Sequence, residues 1–111
     1  MADIRKYLPL SESTYYIMLA LVEPLHGYGV MQKAAVMSEG TVEIGPGTLY
    51  GAFTSLEKEG LIVKVSEDDR RKSYALTDKG KQVLEEYMRR LEIMTRAGDI
   101  TRPKMGLATS Q

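Results

Sequence analysis

Residues 15–22 read YYIMLALV, eight apolar side chains in a row. The run is far short of the roughly 20 residues a membrane helix needs, and it is the longest of its kind in the chain. Periodicity does not separate helix from strand in such a run. Leu, Met and Ala favour helix, Ser11 or Ser13 can cap its start with Glu12 in the first turn, and Pro24 stops it. A helix that is apolar all round must be covered on several sides. A chain of 111 residues forms one domain of ordinary size and leaves about a third of its surface exposed. Part of the cover for this helix is therefore expected from a second copy of the chain.

Composition excludes several classes. There is no cysteine, which removes a disulfide scaffold, a thiolate zinc site and a cysteine nucleophile. The single histidine, His26, has no metal-binding companion, and no Gly-rich phosphate loop or paired catalytic group is present. No cofactor, no metal, no enzymatic activity and no membrane partner are assigned. MADIRKYLPL lacks the apolar core of a signal peptide, so the expected compartment is the cytoplasm. The chain carries 15 basic and 15 acidic residues. That balance argues against nucleic acid until it is read along the chain. Residues 1–60 hold four basic and seven acidic side chains, residues 61–76 four and three, and residues 77–111 seven and five. The basic charge lies late, and Arg70, Arg71 and Lys72 are consecutive.

After the first helix, LHGYG turns into a second helix over about 28–37, ended by Gly40. Residues 41–44 are β-favouring, with Val42 and Ile44 on one face. GPGT then opens a third helix, capped by Gly47 or Thr48, with Leu49, Ala52, Phe53 and Leu56 on one face and Gly60 as its stop. Its other face carries Thr48, Tyr50, Gly51, Thr54, Ser55 and Lys58, polar and mostly small. Residues 61–65 and 71–76 read as two strands joined by a polar turn over 66–70, a β-hairpin. Thr77 caps a helix from 78 to about 97, roughly 30 Å long and stopped by Gly98, in which Leu84, Tyr87, Leu91 and Met94 form a coiled-coil seam spaced 3, 4, 3. Residues 1–10 read as a short arm and 99–111 as a flexible tail.

Helix, helix, short strand, helix, hairpin, long helix is the order of a winged helix-turn-helix. The fold class expected is α+β, mostly α: a winged-helix DNA-binding domain over 1–76, a long C-terminal dimerisation helix over 77–98 and the tail beyond. A small, uncharged helix face can enter a major groove about 12 Å wide, and basic residues on the hairpin can reach adjacent phosphates. The candidate DNA contacts are Thr48, Tyr50, Thr54, Ser55, Lys58, Arg70, Arg71 and Lys72. The candidate dimer contacts are Tyr15, Met18, Leu19, Leu84, Tyr87, Leu91 and Met94. Met18, Met88 and Met94 are candidates to line an adaptable ligand cavity between subunits. A winged-helix module that meets another protein, without sequence-specific DNA binding, is the alternative that the zero net charge and the uncharged third helix favour.

The segments HGYG (26–29), GPGTLY (45–50), LEKEGLI (56–62) and RKSYALTDKG (71–80), in that order, resemble the PadR family of bacterial transcriptional regulators, over about residues 12–97. The short chain with one C-terminal helix resembles its compact subgroup. The resemblance implies a homodimer that binds a pseudo-palindromic operator on double-stranded DNA and usually represses, and in several members a response to phenolic acids or hydrophobic drugs. It implies DNA contacts from Thr48 and Tyr50, backbone contacts from the wing, and dimerisation through the first and last helices. This chain departs from the pattern in having Gly51 where proline often follows GTLY, and Thr54 and Ser55 where a basic residue is frequent. It also lacks the tryptophan with which some compact members stack flat drugs, so that mode of sensing is not carried over.

Overall fold

Ser11 caps the first helix, α1 (Glu12–Ala20): its Oγ accepts the Thr14 backbone N–H at 3.1 Å, meeting one of the donors that a helix start leaves free. The structure, a computed structural model, describes residues 3–68 and 71–107. α1 ends before the apolar run does, because the Leu21 carbonyl accepts the N–H of Leu76 at 2.9 Å; Val22 is left exposed. Ile17, Met18, Ala20 and Leu21 are wholly buried. Residues expected as an arm instead make a 3-10 turn (Ile4–Tyr7) packed on the last helix, where Lys79 Nζ lies 4.9 Å from the Tyr7 ring centre.

A two-residue strand, β1 (Leu25–His26), precedes α2 (Gly27–Met37). The sheet's third strand is this one, and not residues 41–44 as the sequence suggests. Val42 and Ile44 are indeed both buried, but Ser38 takes the place of a strand partner: its Oγ accepts the Val42 N–H at 3.1 Å and donates to the Val42 carbonyl at 3.2 Å. The helix α3 (Pro46–Lys58) starts earlier than expected, with Gly45 at the N-cap and Pro46 in the first turn, where a missing N–H costs nothing. It closes as expected at Gly60 (φ 77°): the N–H groups of Gly60 and Leu61 donate to the carbonyls of Glu57 (3.0 Å) and Leu56 (2.9 Å), a Schellman closure. Leu49, Phe53 and Leu56 face the core.

The wing is β2 (Ile62–Asp68) and β3 (Arg71–Leu76), antiparallel, in a sheet of order β1-β3-β2. The ladder runs further than the sequence suggests. Ser66, Glu67 and Asp68 pair with Ser73, Lys72 and Arg71, with an irregularity between Lys64 and Ser66, so the segment expected as a turn is mostly strand. Residues 69–70 lie outside the described part.

Thr77 caps α4 (Asp78–Thr101), accepting the Gly80 N–H at 3.0 Å and donating to the Gly60 carbonyl at 2.6 Å. Gly80 lets the helix press against the residue that leads into β2: a Cβ there would fall on the Leu61 carbonyl oxygen. The helix does not stop at Gly98. It runs to Thr101, two residues before Pro103, and a 3-10 turn (Arg102–Met105) carries the chain to Gly106 (φ 72°). Proline, with no N–H to give, ends it where glycine does not. At about 1.5 Å per residue α4 is some 36 Å long, and every residue from 92 to 107 is exposed. The overhang stretches the molecule to 55 × 35 × 21 Å, with a radius of gyration of 16.1 Å; a compact chain of this length has about 13 Å.

Candidate nucleic-acid interface

The outward side of α3 is built from little. Gly45, Gly47 and Gly51 have no atom within 4 Å of where a Cβ would stand, and Pro46, Thr48, Thr54, Ser55 and Lys58 are exposed around them. This low profile lets the helix backbone come close to a flat or grooved partner. Thr54 Oγ1 donates to the Tyr50 carbonyl at 2.9 Å, so its proton is held inside the helix and the oxygen is left to accept, with the methyl beside it.

The structure divides the expected contact residues between two flanks. On one, Thr48 and Ser55 line a shallow apolar groove of about 510 Å³ shared with Tyr7, Ser11 and Thr14. On the other, Tyr50 and Thr54 join Arg71 and Lys72 in a cleft of about 430 Å³ between α3 and the wing. Tyr50 is 55% exposed, and its ring meets Phe53 edge-on at 5.9 Å. Its hydroxyl lies over Gly27, where a Cβ would sit only 2.8 Å away. The glycine of HGYG therefore makes room for the tyrosine of GPGTLY. Lys58 is exposed at the last turn of α3, and Arg71 and Lys72 are exposed on β3. Arg70 lies outside the described residues.

The cleft also takes in His26, Tyr28, Glu57 and Tyr74, which the sequence did not single out as contacts. His26 holds the expected place at the helix-two entry, as the α2 N-cap. Tyr28, 63% exposed in the first turn of α2, is the strongest omission; its place beside Tyr50 follows from the packing of α2 on α3. Burial pushes the Tyr74 phenol above its ordinary value, and the charge of Glu57 adds to the effect. At the wing, Lys64 Nζ pairs with Glu67 at 3.0 Å; this hydrogen bond raises the lysine and lowers the carboxylate, so one wing cation is occupied by its own strand.

The sequence profile described as the Transcriptional regulator PadR-like family matches residues 17–86, from mid-α1 into α4. The chain belongs to this family. A 37.1 kDa protein of uncharacterized function in transposon TN4556 of Streptomyces fradiae is 34% identical over 76 residues, 68% of this chain and 21% of that protein. The transcriptional regulator YqjI of Escherichia coli is 30% identical over 69 residues, 62% of this chain and 33% of that one. The chain thus spans a fifth to a third of the length of these relatives. In structure it is similar to a PadR family transcription regulator of Clostridium difficile, with a TM-score of 0.70 and 23% identity over 80% of this chain and 96% of that one. This likeness bears out the winged-helix fold with its long C-terminal helix, and the family to which the chain belongs is one of transcriptional regulators.

In this PadR-like chain the residues expected at the dimer surface do not share one environment. Tyr15 and Tyr87 meet edge-on at 5.7 Å and join α1 to α4; they and Leu19 and Leu91 are half-buried, with part of each surface open. Met94 is 52% exposed. Met18 and Leu84 require correction. Met18 is wholly buried and Leu84 nearly so, both in the chain's own core, so neither offers a face to a second copy and Met18 cannot line a cavity between subunits. Of the candidate ligand residues, Met88 borders a groove of about 670 Å³ with Tyr15, Leu91, Glu92, Thr95 and Arg96, and Met94 does not line it. Among the described residues no helix is long and apolar enough to cross a membrane.

Proposed function

We propose that the chain is a homodimeric repressor that holds a palindromic operator, with α3 of each protomer in the major groove and each wing on the adjacent backbone. The observation that carries the DNA contact is the pairing of a glycine-rich, low-profile face on α3 with the cationic cleft beside it. Thr48, Thr54 and Ser55 read base edges, Tyr50 binds at the rim of the groove, and Lys58, Arg71 and Lys72 hold phosphates, with Arg70 beside them in the chain. The exposed end of α4, carrying Met94 and Ile100, with Met105 in the turn beyond it, supports the dimer, since an apolar overhang on so small a body calls for a partner. Leu91, Met94, Tyr87, Tyr15 and Leu19 form that surface. Two α3 helices about 34 Å apart would meet half-sites about 10 base pairs apart. A dimer seated on a promoter represses by occupying it. The small hydrophobic effector implied by the family resemblance has its candidate seat in the groove beside Met88, where it would shift α4 against α1 and with them the spacing of the two α3 helices. The chain is assigned to the cytoplasm, as a regulator of DNA there.

Salt tests the reading. Three described cations per protomer allow a slope of log affinity against log salt of up to about −5 for the dimer. Replacing Arg71 and Lys72 by Ala should weaken binding to all duplexes alike and flatten that slope by about 3 to 4. A wild-type chain that binds no duplex even at low salt would instead be a protein-interaction module.

A further inference from the structure

A surface that receives phosphate has no evident use for a carboxylate, yet Glu57 stands in the cleft between α3 and the wing. It lines the same walls as Arg71, Lys72, Tyr50 and Tyr74. Its charge reaches both strands of the wing. The Lys64 ammonium is held up first by its hydrogen bond to Glu67 and further by the field of Glu57, and the Tyr74 phenol is raised first by burial and then by Glu57. Glu57 is exposed, and among the described residues it forms no ion pair. It stands one turn beyond Thr54, C-terminal to the proposed base-reading positions. It follows Tyr50 by seven residues on the flank turned to the wing, near the C-terminal end of α3, whereas recognition helices of this kind read bases from their N-terminal part.

We infer that Glu57 tunes affinity through charge: it weakens the hold of the wing cations on phosphate for every DNA sequence. Affinity is thereby kept low unless α3 is seated in a matching groove, and non-specific DNA is released at moderate salt. The acid offsets about half the charge of the two described cations on β3, while Glu67 occupies Lys64. The recognition helix, whose outward face is uncharged apart from Lys58, then decides where the dimer stays. This inference rests on the DNA-binding reading above.

The test is Glu57→Gln, which keeps the size of the side chain and removes its charge, with Glu57→Asp as the variant that keeps the charge. Fluorescence anisotropy with a random-sequence duplex and with a selected operator, each over a series of salt concentrations, gives the readout. The account expects Glu57→Gln to bind both duplexes roughly threefold to tenfold more tightly, with a slope steeper by up to about 2 per dimer and unchanged base preference. Glu57→Asp should follow the wild type. Three results overturn the inference: weaker binding by Glu57→Gln, which would make Glu57 a support for the wing; a changed preference at one base pair, which would make it a base reader; and unchanged affinity and slope. A wild-type protein without affinity for either duplex would remove the DNA reading itself, an outcome distinct from these three.

Discussion

Gly27→Ala probes the contact between the two best-marked motifs. Gly27 is buried at the start of α2, and a Cβ there would lie 2.8 Å from Tyr50 Oη and 3.1 Å from Leu49 Cδ2. Leu49 is fully buried and must give by a few tenths of an ångström, whereas Tyr50 is half-exposed and can swing away. Overpacking costs about 1–3 kcal/mol where neighbours are rigid, and replacing glycine within a helix returns up to about 1 kcal/mol. The net change in stability should therefore stay within about 1 kcal/mol. DNA binding should suffer more. On the proposed reading each displaced Tyr50 forfeits a hydrogen bond worth about 1 kcal/mol. Two per dimer make about 2 kcal/mol, or roughly thirtyfold in affinity. Thermal melts and anisotropy titrations measure the two effects. A double-mutant cycle isolates the cause: in a Tyr50→Ala background, Gly27→Ala should no longer affect binding. The reasoning is refuted if Gly27→Ala leaves affinity unchanged, or if its effect persists undiminished without the Tyr50 ring.

Three further outcomes are expected. Gly80→Ala sets a methyl against the Leu61 carbonyl, where neither backbone can yield, and should cost at least about 2–3 kcal/mol in urea denaturation, in contrast to Gly51→Ala, which meets open space inside α3 and should stabilise by up to about 1 kcal/mol. Leu91→Asp combined with Met94→Asp should leave the fold intact by circular dichroism but give a monomer in sedimentation, because both side chains stand on the surface assigned to the partner. Burial raises the phenols of Tyr15 and Tyr74 above 10.0, with Tyr16 and Tyr87 adding at the first and Glu57 at the second. A folded pKa above the unfolded one gives a contribution that is whole below pH 10 and lost as the pH climbs through the folded values. The urea midpoint should thus hold steady up to about pH 10 and fall beyond it, and Tyr15→Phe with Tyr74→Phe should flatten that fall.

Much of this architecture is legible in the sequence where the signal is local. Ser11, Thr77 and Gly60 act as caps or stops through bonds to residues three or four positions away, and they stand where the sequence puts them. Signals settled by competition are harder to read. Gly98 looks like a helix end, yet the helix runs past it until Pro103 breaks it. Residues 41–44 have a strand's composition, but Ser38 binds both polar groups of Val42 first. Leu25 and His26 form a strand too short to leave a pattern. The seam of Leu84, Tyr87, Leu91 and Met94 correctly marks one side of α4, yet spacing does not say where that side passes from its own core to open surface; the structure draws the line between Leu84 and Met94. The residues of the candidate interface on α3 were legible because they lie on one helix. Tyr28 and Glu57 join them only through the packing of α2, α3 and the wing, which no single segment announces.

The central claim is that two copies of α3, held at a fixed spacing, read a symmetric DNA site. Selection of bound duplexes from a random library, at a salt concentration where non-specific complexes dissociate, tests it most directly. The account predicts enrichment of a palindrome whose half-sites are about 10 base pairs apart, lost when Thr48, Tyr50 and Thr54 are replaced by Ala. Enrichment of no sequence, or of a single half-site without symmetry, would contradict it.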